Sequence, residues 1–451
     1  MFGKLFVRDN YFYKTFFKLT LTIALQNVIV FGVNLADNVM LGAYSQDALS
    51  GAAVVNQVQY LLQMLIFGVG EGALILSSRS WGKKEIDPIR KLAGISMATA
   101  LVIALAMWAT AFFAPGWVLS LFTSDAGVIA EGTKYLQIIC FSYFFFAVTN
   151  ILIYTMRSVE TVRIGFFVSL STLCINVCLN SILIYGNLGA PRLGIQGAAI
   201  ATLISRIVET VIMVCFVRFA DKKVRLRLRD FFTFDRALLK SFVKVGSPIF
   251  FSNAIWGVAM SVQTAILGHM GREVIAANSI ATTVFQVLTV VTYGAGSASS
   301  VLTGKTIGEG SRHKVKQYAI TMQILFLLIG VATGAALFFC KDLIIQLYDV
   351  TPEARGLTLT FLTILSVTVV GTSYQMAALT GIVRGGGDTK FVLINDLIFM
   401  WGIVLPSSAI CAYWLNLSPV ITFICLKSDQ ILKCFVAVIK VNRFKWIKEE
   451  I

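Results

Sequence analysis

Residues 16–41 read FFKLTLTIALQNVIVFGVNLADNVML, an apolar run long enough to cross a hydrocarbon core of roughly 30 Å as one helix. Near its far end sits Asp37, its one acidic side chain. A charge in hydrocarbon is costly and tends to face a polar cavity or pathway, so Asp37 is a functional-site expectation from the outset.

Comparable runs recur at about 52–78, 92–114, 133–156, 164–186, 194–219, 240–268, 274–303, 315–340, 355–382, 390–415 and 418–440. They are continuous, whereas barrel strands alternate over roughly ten residues. The expected fold is therefore an all-α polytopic membrane protein with twelve transmembrane helices. Composition agrees, with 57% hydrophobic residues, 14% charged and a mean hydropathy of +0.80, where soluble domains carry about a quarter charged residues.

The net charge of +15 follows the membrane and gives no reason to expect a nucleic-acid partner. Basic residues gather before the first span (Lys4, Arg8, Lys14, Lys18), after the second (Arg79, Lys83, Lys84, Arg90, Lys91), from Arg218 to Lys244, and in the tail from Lys440 to Lys448. The alternate loops hold only Lys134, Arg192, Arg272, Lys341 and Arg355. By the positive-inside rule the basic loops and both termini are cytoplasmic, in a multi-pass protein of the plasma (inner) membrane. Anionic lipids are the expected partners of those loops. The first run is too long for a cleavable signal peptide and is read as a retained helix. All eight cysteines fall in apolar runs; Cys174 and Cys178, one turn apart, are read as packing residues.

Laying Leu41–Arg90 on Leu267–Lys316, a shift of 226 residues, aligns fifty positions without a gap. Only eight are identical, so their placement carries the case. Leu41 and Gly42 match at a helix end, Gly68 and Gly70 match Gly294 and Gly296 inside the next helix, and Gly82 matches Gly308. Arg157 and Arg384 echo each other at a shift of 227. The expected organisation is an N-terminal six-helix lobe (1–219), a basic cytoplasmic linker (220–236) and a C-terminal six-helix lobe with a basic tail (237–451). Six spans per half gives parallel repeats related by a pseudo-twofold axis along the membrane normal, an arrangement of transporters that work by alternating access.

The polar residues of the first span fall at helical spacing, Gln26, Asn27, Asn34 and Asn38 sharing the general face of Asp37. Asn176 and Asn180 lie one turn apart in the fifth span, and Thr202 about eight residues into the sixth, all at similar depth. Glu71, Gln263, Gln375 and Asp396 are further intramembrane polar groups, and with Asn34 they are the candidates for contacting substrate. Arg206 and Glu209 are read as a helical ion pair, Lys427, Asp429 and Lys433 as a bundle-internal patch, and Arg157 and Arg384 as loop staples. An enzyme is not expected: His269 and His313 have no nucleophile or metal constellation, and there is no P-loop. The 34 phenylalanines and 12 methionines suit adaptable contacts with varied molecules.

Several stretches carry a resemblance: Asn34 to Gly42 (NLADNVMLG) with Ala48 to Ala52, Trp81 to Lys84, the paired Arg157 and Arg384, Gly197 to Thr202 (GAAIAT), and Arg443 to Trp446 (RFKW). In this order on a duplicated unit, the chain resembles the multidrug and toxic compound extrusion (MATE) family, nearest its DinF-like branch. The resemblance implies a secondary antiporter in which entry of H⁺ or Na⁺ drives export of amphipathic, often cationic compounds. It implies no cofactor beyond the coupling ion, and a monomer is expected. A flippase for a lipid-linked precursor is the alternative, although its basic central cavity is not evident here. Asp37, Asn176 and Thr202 match the branch's N-terminal ion site, with Asn180 where a second aspartate is usual. These four are the ion-coupling candidates, with Na⁺ as the one metal in question; Asp37 alone can still exchange a proton. The NorM-like branch instead uses acidic residues in the seventh and tenth helices, where this chain has Gln263 and Gln375. Thr22 stands opposite Pro248 in the repeat, so no proline kink is expected in the first helix.

Overall fold

The computed structural model describes residues 7–448 apart from 234, 347 and 349; Lys4 of the N-terminal basic cluster lies outside the described residues. Among those described, every regular element is helical. The chain runs through α1 (Asn10–Tyr44), α2 (Gln46–Gly82), α3 (Asp87–Phe113), a short α4 (Pro115–Ser120), α5 (Ala126–Ile139), α6 (Ser142–Ser158), α7 (Arg163–Tyr185) and α8 (Ile195–Cys215). It continues with α9 (Arg236–Gly268), α10 (Arg272–Gly308), α11 (Arg312–Ile345), α12 (Pro352–Met376), α13 (Thr389–Asp396), α14 (Leu405–Ala409), α15 (Pro419–Lys427) and α16 (Asp429–Asn442). Among the described residues ten helices are long and apolar enough to cross a membrane, and α5 with α6, bent by 54°, passes the same test as a pair and counts as an eleventh where taken as one broken span. The twelfth predicted run is also helical but breaks at Ser428 into α15 and α16. The break coincides with Lys427 and Asp429, whose charges interrupt the apolar run.

Local chemistry sets several of these boundaries. Ser45 caps α2 by accepting from the Ala48 amide at 3.4 Å, and Asp125 caps α5 through the Gly127 and Val128 amides. Pro88, Pro352 and Pro419 occupy the first turns of α3, α12 and α15, where a missing N–H costs nothing.

By internal packing the chain divides into two compact units, Leu25–Phe250 and Met1–Ala24 with Phe251–Ile451. This packing division is drawn on a different criterion from the repeat-based boundaries at 219 and 237. The linker and the start of α9 belong to the first unit, and residues 7–24 to the second. The reason is that α1 and α9, at 35 and 33 residues, are long enough for their two ends to pack with different neighbours. Both divisions fall at repeat-equivalent positions.

Within the first unit, α7 and α8 form a tight hairpin. Gly186 closes α7 in the left-handed region at φ +77°, and the Leu193 amide returns to the Leu183 carbonyl at 2.9 Å. There α8 passes so close that a Cβ on Gly197 would lie 2.5 Å from the Leu183 oxygen. This contact sets the two helices near enough for the Asn176 side chain on α7 to reach Thr202 on α8. Gly197→Val should therefore lower the thermal midpoint of the detergent-solubilised protein by an overpacking cost of about 1–3 kcal/mol. Fluorescence-detected size exclusion after heating measures it, and a variant as stable as wild type would show that the hairpin is not this tight.

Candidate functional site: a buried carboxylate among three helices

Asp37 on α1 is buried, 9% exposed, and Asn176 and Asn180 on α7 are fully buried. The Asn180 Nδ2 donates to Asp37 Oδ1 and, at 3.1 Å, to Asn176 Oδ1. Asn176 Nδ2 in turn donates to Thr202 Oγ1 on α8 at 3.1 Å. The Tyr185 hydroxyl ties α7 to the Met40 carbonyl of α1 at 2.7 Å, one turn beyond Asp37. The four residues expected at the ion site thus lie in one hydrogen-bonded chain across three helices. Asn180 turns its amide NH₂ toward both acceptors, and its Oδ1 is buried without a hydrogen-bond partner.

An unpartnered carbonyl oxygen beside a carboxylate, with a hydroxyl and a second amide at hand, is an all-oxygen donor set. Oxygen donors of this kind suit a small hard cation, and nothing in the set favours a soft transition metal. Among the described residues no group of three His, Cys, Asp or Glu could hold a metal ion; the carboxylate of this set is that of Asp37. Arg206, whose charge acts on Asp37, is committed to Glu209 at 2.7 Å.

Sequence reasoning missed Tyr135 and Gln59. Tyr135 is buried and feels the charge of Asp37, and Gln59 has its Nε2 buried without a hydrogen-bond partner. Tyr135 stands early in the bent fourth span, where nothing in the sequence marks the bend that turns it to this cluster.

The tentative substrate residues are placed differently. Asn34 is exposed and Glu71, half-buried on α2, interacts electrostatically with Arg157 and Tyr154. Gln263, Gln375 and Asp396 belong to the other unit and are engaged there. Gln263 Nε2 approaches Met400 Sδ at 3.3 Å, Gln375 donates to Gln430 at 2.9 Å, and Asp396 accepts from Lys433 at 3.0 Å. Lys433 also pairs with Asp429 at 3.5 Å, so that patch is an ion-pair cluster inside the bundle. Cys174 and Cys178 are exposed free thiols.

Arg157 and Arg384 are buried at helix ends, where loop positions were expected. Arg157 Nη2 donates to Gln26 Oε1 at 2.8 Å, and Arg384 Nη2 to Ser252 Oγ at 2.8 Å. Gln26 and Ser252 are themselves related by the 226-residue shift, so each half carries the same staple. In the first, it fixes α1 eleven residues before Asp37, three turns back on the same face.

Residues 22–182 and 248–410 match the model of the MatE family, covering well over half of the chain. The chain belongs to the MatE family. It is a membrane transporter and not an enzyme. The probable multidrug resistance protein NorM of Thermotoga maritima is 25% identical over 443 residues, covering 97% of this chain and 94% of that protein. A MOP superfamily transporter from Pyrococcus furiosus has the same fold, with a TM-score of 0.87 at 19% identity over 95% of each chain. So has the eukaryotic MATE transporter AtDTX14, with a TM-score of 0.86 at 17% identity over 97% of each. Twelve helices in two halves are the architecture of this MATE fold.

If Asn180 is part of the site, Asn180→Asp places a second carboxylate against Asp37, and two like charges bind a shared cation or proton more tightly than one. Transport by this variant should need less of the coupling ion at half-maximal rate. An ion and pH profile identical to wild type would put Asn180 outside the site.

Proposed function

We propose that this MatE-family protein is a secondary antiporter of the plasma (inner) membrane, with both termini cytoplasmic, exporting amphipathic, often cationic compounds in exchange for H⁺ or Na⁺ by alternating access. The observation that carries this reading is Asp37, buried, hydrogen-bonded to an amide and beside an unpartnered carbonyl oxygen. A lone carboxylate in that setting is stabilised by taking up a cation or a proton and destabilised when it is released. Uptake and release therefore bias the packing of α1, α7 and α8, which is what couples an ion gradient to a conformational cycle. With one carboxylate the simplest stoichiometry is one monovalent ion per cycle. Exchange of that ion for a monocationic substrate moves no net charge across the membrane.

The name of the Thermotoga relative supports drugs as the cargo. No nucleotide or organic cofactor is needed, because the ion gradient is the energy source, and a monomer contains the whole proposed site. The DinF-like assignment of the site rests on Asp37, Asn176 and Thr202 lying together in the first unit.

Ethidium uptake into inside-out vesicles, under a Na⁺ or an H⁺ gradient imposed separately, tests the proposal. Wild type should accumulate dye under one of the two gradients. Asp37→Asn, inserted at normal levels, should lose gradient-driven uptake to the level of empty vesicles. Normal gradient-driven uptake by that variant would sink the site assignment.

A further inference from the structure

The segment joining α8 to α9, residues 220–236, folds into the first unit with its two signs of charge sorted. Its three acids all turn inward. Asp221 accepts from the Lys223, Val224 and Arg225 amides at 3.1, 2.9 and 2.9 Å. Asp230 accepts from the Arg227 amide at 2.8 Å and stands 3.9 Å from Arg90 of α3. Asp235 accepts from the Ala237 and Leu238 amides at 2.9 and 3.3 Å and pairs with Lys91 of α3 at 3.7 Å. Val224 and Leu226 are buried, at 0% and 3% exposed, and Arg90 donates to the Val224 carbonyl at 2.8 Å. Helix α3 passes so close that a Cβ on Gly94 would lie 2.8 Å from the Asp230 carbonyl oxygen. Lys223 donates to the Val159 carbonyl just past α6, with its ammonium 5.5 Å from the centre of the Trp81 ring.

The bases left facing outward are Lys222, Arg225, Arg227, Arg229 and Arg236, all exposed. None of the acids among the described residues forms an ion pair with them. Buried and exposed residues alternate from Val224 to Arg227, so the same packing that buries the apolar side chains holds the arginines out. Arg225 keeps φ +51°, a left-handed backbone that suits glycine and that another residue holds only where its surroundings fix it. Beside the strip Phe219 is 81% exposed, with the Arg218 guanidinium 5.7 Å from its ring centre. The orientation of a membrane protein follows the lysines and arginines of its loops, and acids contribute little to it. Topology therefore accounts for the bases. It leaves unexplained the inward turn of every acid and the fold that presents the arginines.

We propose that this folded strip docks on the head groups of anionic phospholipids, which makes the linker a lipid-binding element and more than a tether between two spans. The choice of lipid over a soluble polyanion rests on how the strip is held. Both of its ends are ends of membrane-spanning helices, Ile195–Ala220 and Arg236–Gly268, and its middle is pinned to α3 and to the end of α6, so it cannot leave the membrane surface. A surface of one sign confined there meets head groups at a far higher local concentration than any anion in solution. Arginine suits phosphate because its guanidinium presents a rigid fork of donors, and an exposed aromatic ring at the same edge suits the boundary between head groups and acyl chains. The proposal goes beyond the antiport reading, in which the linker has no part.

The test is binding of a fluorescent phosphatidylglycerol to the purified full chain in uncharged detergent micelles, read by anisotropy, with phosphatidylcholine carrying the same fluorophore as the reference. Wild type should bind the anionic lipid roughly tenfold tighter, and the difference should shrink as salt is raised. Arg225→Gln, Arg227→Gln and Arg229→Gln together should abolish the preference. The same loss of charge by Lys83→Gln, Lys84→Gln and Lys314→Gln, at exposed positions outside the linker, should leave it within about twofold of wild type. Asp221→Ala separates fold from charge, because it adds one positive charge while removing the acceptor of three amides. In a variant that stays monodisperse, binding should fall. No preference in wild type, equal loss in the two triple variants, or tighter binding by Asp221→Ala overturns the proposal, and the wild-type comparison needs no variant to fold. Linker-dependent binding of soluble tripolyphosphate that is tighter than binding of the lipid also overturns it and identifies the partner as a polyanion in solution. Micelles have no sides and ethidium uptake is read separately, so failure here leaves the antiport and its orientation standing.

Discussion

A carboxylate carried into a helix bundle without a cationic partner in contact is the constraint around which the first unit is built. Asp37 is held by the Asn180 amide, Asn180 by Asn176, and Asn176 by Thr202, so one charge fixes the mutual register of α1, α7 and α8. Amides suit this task because each offers both donors and an acceptor, and can stabilise the charged carboxylate without neutralising it. What they leave over is the Asn180 carbonyl oxygen. In a bundle with no bulk water an orphan acceptor is expensive, and a cation that ligates it together with Asp37 removes two costs at once.

The two halves of the repeat share a scaffold and diverge in chemistry. Both keep the arginine staple, Arg157 on Gln26 and Arg384 on Ser252, at positions that the duplication alone would align. Beyond the staple they part. Around Asp37 the first unit sets one acid among neutral amides, whereas around Asp396 the second has two acids compensated by two bases from its own chain. Gln263, the repeat partner of Asp37, reaches a methionine sulfur, where its counterpart meets an asparagine amide.

Much of this was legible in the sequence, because the bilayer enforces length and continuity on each span. The apolar runs all became helices, and depth, helical phase and the family resemblance singled out Asp37, Asn176, Asn180 and Thr202, which the structure joins in one hydrogen-bonded chain. Features that depend on bending or on which neighbours a helix chooses were hidden. The 54° bend between α5 and α6 brings Tyr135 to the site without a proline or glycine at the break. The division of α1 and α9 between units was invisible, since nothing in their composition changes at Ala24 or Phe250. Arg157 and Arg384 read as loop residues because arginines beside a turn are usually solvated. Their burial follows from partners 131 and 132 residues away, which no local pattern reports.

The contrast between the two units lies in how readily each carboxylate can change its partner. A carboxylate paired with amides can bind and release a mobile ion cheaply, because no internal cation competes for it. One paired with Lys433 cannot, since any mobile cation has to displace a tethered ammonium whose effective concentration is far higher than that of an ion in solution. The difference between the two carboxylates thus follows from where the chain spends its own charges.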